Sequence, residues 1–442
     1  MPREQLKKEF FRKVKEYYKL VHKPEQEKEF IEGKSRINYA GRVFDEQEMI
    51  NLVDSALDFW LTYGKYSKEF EKKIVEFLGI RYVLSVNSGS SANLLAFFAL
   101  TSPLLKDKRV KRGDEIITVA AGFPTTVSPI VQYGGVPVFV DIELETLNID
   151  IKQIEKAITS KTKAIMIAHT LGNPFNIEKI KEICDKYNLW LIEDNCDALG
   201  SKYKDKYTGT WGDIGTSSFY PPHHITTGEG GAVYTDNPLL KKIMLSMRDW
   251  GRDCWCESGV DNTCGHRFTQ KFGKLPLGYD HKYVYSYFGF NLKMTDMQAA
   301  IGVAQIDKLS EFIKKRQENW QMLYEGLKDI DEFILVKPQK NSEVSWFGFL
   351  ITLKDSVKFR RNDIVKYLED NNIQTRNLFA GNILRHPMFE NLKEGVDYKV
   401  VGELKNTDKI MNDSFWIGVY PGMKKEAIEY IISKIKGFIS VY

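Results

Sequence analysis

No stretch of this chain approaches the roughly eighteen uninterrupted apolar residues of a membrane-spanning helix, so no transmembrane helix is expected. A dominant sign of charge is also missing. Sixty-three basic side chains face 59 acidic ones, and the surplus of four is spread along the chain, which leaves no electrostatic case for nucleic acid or a membrane surface as partner. The lysine-rich start, MPREQLKKEFFRKVKEYYKLVHK, has a helical apolar rhythm but is interrupted by glutamates. No apolar signal core follows it, so it reads as a docking helix rather than a targeting peptide, and a cytoplasmic protein is expected. Internal repeats and low-complexity tracts are absent. What is present is a 43% hydrophobic, 13% aromatic chain of 442 residues, enough for a large domain and a smaller one around a sizeable core.

Predicted strands and helices alternate through the middle of the chain: strand Glu115 to Ala120, helix near Thr126 to Tyr133, strand Val136 to Asp141, helix Ile151 to Ala157, strand Ala164 to His169, helix Ile177 to Tyr187, strand Leu189 to Glu193. That alternation predicts an α/β protein with a mostly parallel sheet covered on both faces, and ligands at the carboxyl ends of its strands. Gly122-Phe123, His169-Thr170 and Asp194 stand at those ends and are expected to face one crevice. Asp45 and Glu48 read as a capping pair before an apolar stripe running to Trp60. Helices are predicted from Asp296 onward, including a long one from Ser310 to Lys328. We divide the chain into a helical extension (residues 1–45), a large domain (46–328) carrying an irregular, aromatic-rich insertion (248–291), and a smaller C-terminal α+β domain (329–442).

Two turns carry chemistry. Asn87 to Ser91, NSGSS, joins a short strand to an apolar helical run and offers backbone N–H groups and hydroxyls to a phosphate; a plain serine helix cap reads equally well on those residues alone. Ser218 to Gly231, SFYPPHHITTGEGG, places His223 and His224 in a glycine-bounded turn. Histidine titrates near neutrality and can take or give a proton, although two ordinary loop histidines are the plainer alternative.

The five cysteines are Cys184, Cys196, Cys254, Cys256 and Cys264. Cys184 lies on the apolar face of a predicted helix and reads as core packing. The other four follow a C-x57-C-x-C-x7-C spacing. Four thiolates can hold zinc or an iron–sulfur cluster, and a reducing compartment disfavours a disulfide. Structural zinc sites usually show gaps of two to four residues in both halves, which this spacing lacks. On spacing alone iron–sulfur, zinc and incidental cysteines all stay open.

With these residues in view, the chain resembles the sugar aminotransferase family (DegT/DnrJ/EryC1/StrS), and within it the pyridoxamine-phosphate and iron–sulfur 3-dehydrases that act on CDP-4-keto-6-deoxy-D-glucose in 3,6-dideoxyhexose biosynthesis. The resemblance runs from INYAGRVFDEQE to the C-terminal helix. It implies a type I aminotransferase fold. The family's strand ends in Ser-Phe, leads to a lysine that holds the coenzyme covalently, and continues into a Gly-Asp/Glu-Gly-Gly turn. Here Ser218, Phe219, Gly228, Glu229, Gly230 and Gly231 are kept and His223 replaces the lysine. Without that amine the coenzyme is expected to be non-covalent pyridoxamine 5′-phosphate (PMP), with His223 as catalytic base.

The resemblance implies further roles. Asp194 pairs with the pyridine nitrogen, Phe123 stacks on the ring, and Gly89, Ser90 and Ser218 cradle the phosphate. Asn291 reaches the phosphate of a neighbouring subunit, so a homodimer is expected. Cys196, Cys254, Cys256 and Cys264 are the expected ligands of a [2Fe-2S] cluster that receives electrons from a separate NAD(P)H-dependent flavin/iron–sulfur reductase. Asp197 departs from the glutamine usual beside the ring hydroxyl, and its role is left open. Arg376 and His386 are placed where the small domain can close over the nucleotide sugar. Two rival readings are a GDP-4-keto-6-deoxymannose-type dehydratase that uses PMP without a cluster, and a non-catalytic relative holding zinc.

Overall fold

The computed structural model describes residues 3–256 and 259–442. Its centre is an eight-stranded sheet: β1 (Tyr82–Val86), β2 (Glu115–Val119), β3 (Val136–Val140), β4 (Thr162–Ala168), β5 (Trp190–Asp194), β6 (Ile214–Ser218), β7 (Gly231–Thr235) and β8 (Lys399–Val400), in spatial order β1-β7-β6-β5-β4-β2-β3-β8. Neighbours from β6 across to β8 pair in parallel. β7 runs opposite to both β6 and β1. The mostly parallel α/β sheet is therefore present, with one reversed strand that short-range patterning did not reveal.

Strands β2 to β5 are buried along almost their whole length, as expected of a sheet covered on both faces. Their helices bury one face each: Ile177–Tyr187 sends Ile180, Ile183 and Cys184 inward, and burial pushes the Cys184 thiol up to about 12, which marks it as inert packing. A second, three-stranded antiparallel sheet is built from Phe333–Leu335, Gly348–Leu353 and Ser414–Gly418. One hydrophobic cluster runs from Ile117, Val138 and Ile165 of the large sheet to Ile351, Phe415 and Ile431 of the C-terminal region.

The region after residue 291 differs from the expected set of separate helices. A single helix, Asp296–Leu327, runs for 32 residues from a Thr295–Gln298 capping box. Its first residue fixes the neighbouring helix Lys65–Leu78: the buried Asp296 carboxylate accepts from the backbone N–H groups of Tyr66 (3.3 Å) and Ser67 (2.8 Å) and from the Ser67 hydroxyl (2.9 Å). The Asp45/Glu48 capping pair caps helix Glu46–Asp58. The N-terminal helix Arg3–Tyr17 lies against that helix, with Lys7 bonded to Asp54 and Asp58. Among the described residues, no helix is long and apolar enough to cross a membrane.

His169 corrects one expectation. It is fully buried, stacks on Phe175 with ring centroids 4.1 Å apart, and donates through Nε2 to Glu193 at 2.9 Å, so it serves the sheet and not the crevice. Glu193 also accepts from the N–H groups of Gly209, Trp211 and Gly212 at 2.9, 2.8 and 2.5 Å. Burial alone would raise its pKa; His169 and the backbone donors outweigh it and hold the carboxyl below its ordinary value. A depressed carboxyl stabilises the fold above its unfolded pKa, near 4.3, and that stability is lost as pH falls through the folded value.

Accordingly, thermal melts of the wild type should lose stability progressively below about pH 4.3. Glu193→Ala should cost about 3–5 kcal/mol at neutral pH, because it orphans a buried cluster of donors. A Glu193→Ala melt matching the wild type would contradict this assignment.

Candidate active site

A crevice of about 700 Å³ opens at the carboxyl ends of β2, β4, β5 and β6, where a parallel sheet presents its loops. Gly89, Ser90, Phe123, Asp194, Cys196, Asp197, Ser218, His223 and Arg376 all line it.

The floor is set by Asp194. Its Oδ2 accepts from Asn93 Nδ2 at 2.7 Å and from the Thr126 hydroxyl at 2.6 Å, while Oδ1 accepts from the Cys196 N–H at 3.2 Å. Asn93 is itself held by the Thr216 hydroxyl at 2.7 Å. The carboxylate is thus locked in orientation before any ligand arrives, which suits a fixed partner for a pyridinium nitrogen.

One end of the crevice has the form of an anion site. Helix Gly89–Ala99 starts there, with Ser88 as its cap accepting from the Ser91 N–H at 3.0 Å. Its free N–H groups and dipole favour an anion. Gly89 is required by close approach: a Cβ on it would lie 2.4 Å from the Cβ of Ser218. Phe123 also lines the crevice, half exposed and edge-on to Phe379, so much of its ring is open to a ligand. These residues fit PMP.

His223 is held by its own backbone. The buried Arg316 guanidinium donates to the carbonyls of Pro222 (3.2 Å), His223 (3.0 Å), Trp346 (3.2 Å) and Phe347 (3.4 Å). The His223 ring lies 5.0 Å from that of Phe347. Its Nδ1 is buried without a hydrogen-bond partner, 3.8 Å from Asp197 Oδ1. Burial, reinforced by the Arg316 charge, pushes the His223 pKa down to about 4, so the imidazole is neutral and ready to accept a proton. Burial and the nearby Asp194 push Asp197 up to about 8, so at neutral pH it carries a proton and the two side chains do not form an ion pair. His224 points away from the crevice, its Nε2 donating to the Ser345 carbonyl at 2.9 Å.

Two expected site residues, His386 and Asn291, stand outside the crevice. His386 donates to the Ala380 carbonyl at 2.8 Å and does not line the crevice, whereas Arg376 does, with its guanidinium 4.0 Å over the Tyr39 ring. Asn291 is exposed, pairs with Asp249 at the base of the insertion and is absent from its own crevice. The four cysteines are divided. Cys254, Cys256 and Cys264 line a small second cavity together with His281, while Cys196 lines the coenzyme crevice. Among the described residues, no group of three or more His, Cys, Asp or Glu side chains is arranged to hold a metal ion. Within one protomer, then, the four thiols do not fit a single cluster. The cause is topological: Cys196 follows β5, and the other three are borne on the insertion.

Sequence reasoning missed Asn93, Thr126, Tyr39, Tyr220 and Phe347. Asn93 left a signal, a polar residue in the apolar run ANLLAFFAL one turn past the serines. Tyr39 and Phe347 left none, since they reach the crevice only through tertiary packing.

The DegT/DnrJ/EryC1/StrS aminotransferase family matches residues 44–436. The lipopolysaccharide biosynthesis protein RfbH of Salmonella typhimurium is 55% identical over 415 residues, 94% of each chain. The dTDP-4-dehydro-2,6-dideoxy-D-glucose 3-dehydratase of Saccharopolyspora spinosa is 48% identical over 95% of this chain and 90% of its own. Among solved structures, the Escherichia coli GDP-4-keto-6-deoxy-D-mannose-3-dehydratase with bound hydrated PLP superposes with a TM-score of 0.80 at 31% identity, covering 90% of this chain and 98% of that one.

Two substitutions test the geometry. Gly89→Ala should force a clash costing about 1–3 kcal/mol and weaken coenzyme binding on the order of tenfold, measured by equilibrium dialysis. Arg316→Gln should leave coenzyme affinity near the wild type while lowering turnover on the order of tenfold or more, because the base loses its frame. Undiminished turnover would remove Arg316 from the positioning of His223.

Proposed function

The chain belongs to the DegT/DnrJ/EryC1/StrS aminotransferase family, and within it we propose that it is a PMP-dependent enzyme removing the C3 hydroxyl of a nucleotide-linked 4-keto-6-deoxyhexose, with CDP-4-keto-6-deoxy-D-glucose as substrate. The observation that carries this reading is His223, a largely buried, neutral imidazole that lines the crevice where the family's pattern has a lysine. The relatives named as 3-dehydratases of 4-keto sugars support it.

When bound, PMP supplies a primary amine that takes up the sugar's C4 ketone and a ring able to store an electron pair. The chain's own residues do the rest. Gly89, Ser90 and Ser218 hold the phosphate and Asp194 keeps the ring nitrogen charged. The His223 imidazole, neutral and lining the crevice, would take a proton from the coenzyme's C4′ carbon and give it to the departing C3 hydroxyl, which leaves as water. Asp197, protonated beside His223, is a second acid within reach of that hydroxyl. Phe123, Phe347 and Phe379 keep bulk water from the reacting carbons, and Arg376 faces the nucleotide sugar from the C-terminal region.

Dehydration alone leaves the deoxygenation two electrons short. The proposal therefore includes the [2Fe-2S] centre and the NAD(P)H-dependent flavin/iron–sulfur reductase implied by the family resemblance, and a homodimer as the working unit. A second reading, a cluster-free dehydratase of the GDP-sugar type that renews its amine from glutamate, is favoured by the division of the cysteines and by the likeness to a GDP-4-keto-6-deoxymannose-3-dehydratase bearing a trapped PLP-glutamate geminal diamine.

The test is a pair of variants. His223→Asn should bind PMP and lower dehydration by a factor on the order of 10²–10⁴. His223→Lys should hold pyridoxal phosphate covalently, seen as a visible absorption band, and fail to dehydrate. Dehydration at the wild-type rate by either variant would overturn the base assignment. Turnover that requires glutamate and no reductase would select the second reading.

A further inference from the structure

The division of the thiols has a regular form. The second cavity presents three sulfurs, each met by a backbone donor: the Cys256 N–H to Cys254 Sγ at 3.4 Å, the Thr263 N–H to Cys256 Sγ at 3.3 Å and the His266 N–H to Cys264 Sγ at 3.3 Å. Arg267 and Lys282 also line it, both paired with Asp261 and Arg267 with Asp280 as well. N–H donors around grouped thiols are a feature of metal-bound thiolate sets, and three is one short of the four that a two-iron cluster takes.

The fourth thiol lies in the coenzyme crevice. Cys196 is half-buried there, flanked by Asp194 and Asp197, and no other cysteine lines that crevice. The insertion that bears the triad also bears Asn291, the residue expected at a neighbour's phosphate, and both stand outside their own crevice. The segment presents an unpartnered apolar surface: Trp255, Phe268, Leu277, Tyr283 and Tyr285 are exposed, and Phe288, three residues before Asn291, is completely so. A free surface of this kind marks a contact. The partner that brings a further crevice with its own Cys196 is a second copy of this chain.

We propose that the metal site is completed between two copies, with Cys254, Cys256 and Cys264 of one protomer closing on Cys196 of the other. This deepens the preceding reading and rests on it. A two-fold arrangement closes at a dimer: each copy gives its insertion to one site and its Cys196 to the other, so two equivalent sites form and neither exists in a lone chain. The arrangement seats the cluster beside Asp194 and the coenzyme ring. His281, whose Nδ1 lies 3.7 Å from Cys264 Sγ and whose Nε2 is tied to Asp253 at 2.7 Å, then orients the Cys264 sulfur from behind.

Subunit complementation tests it. Differently tagged Cys196→Ser and Cys256→Ser chains are co-expressed, the mixed dimer is isolated through both tags, and it is reconstituted anaerobically with ferrous iron and sulfide beside the wild type and both parent variants. In the mixed dimer one site loses both contributions and the other keeps a full set. The expected result is no cluster in either parent and roughly half the wild-type iron and acid-labile sulfide in the mixed dimer. Recovery of that site shows that each variant chain folds. A mixed dimer as empty as its parents, a Cys196→Ser homodimer that keeps wild-type iron with His281 as fourth ligand, or a wild type that is monomeric by light scattering would each overturn the proposal. A wild type that takes up neither iron nor sulfide removes it together with the reading it rests on.

Discussion

Four carbonyl oxygens around one buried guanidinium fix where the chemistry of this chain takes place. Arg316 sits near the middle of the long helix Asp296–Leu327 and bonds Pro222 and His223 on the coenzyme side and Trp346 and Phe347 on the side of the C-terminal sheet. A buried charge must be satisfied or it destabilises the fold, so the turn carrying His223 cannot move without orphaning Arg316. The guanidinium positions the imidazole, and its charge helps hold the ring in the neutral form that a base requires. Structure and reactivity meet in a single side chain that never enters the crevice.

The crevice compensates for the missing lysine by pre-forming everything else. Asp194 is oriented by Asn93, Thr126 and its own loop, the phosphate end is shaped by the approach of Gly89 to Ser218, and the base is framed from behind. A coenzyme that is not covalently attached depends on such pre-organisation for its affinity. An imidazole in place of an amine also changes what the site can do: it can accept and give a proton but cannot hold the coenzyme as a Schiff base.

Much of this was legible in the sequence, because the informative residues are local. Strand–helix alternation located the sheet, and the NSGSS and SFYPPHHITTGEGG turns and the strand-end Asp194 pointed to residues that line one crevice. What escaped depends on tertiary neighbours. His169 stands at a strand end like the crevice residues, yet its ring turns beneath the sheet to Glu193, which no spacing rule distinguishes. Arg316 lies on a helix whose length hid it among surface cations, and Tyr39 and Phe347 come from distant parts of the chain. The cysteine spacing gave the number of thiols and not their distribution, because a one-dimensional pattern does not record that an insertion points away from its own crevice.

The central claim is that His223 moves the proton that expels the C3 hydroxyl. The most direct measurement is isotope exchange at that carbon: PMP-loaded protein and CDP-4-keto-6-deoxyglucose are incubated in heavy-oxygen water with no reductase present, and the recovered sugar is analysed by mass spectrometry. The account predicts that solvent oxygen enters at C3, since water lost there re-adds when no electrons arrive, and that exchange disappears when His223 is replaced by asparagine while the coenzyme stays bound. A sugar that keeps its original oxygen, or exchange that persists without the imidazole, would contradict it.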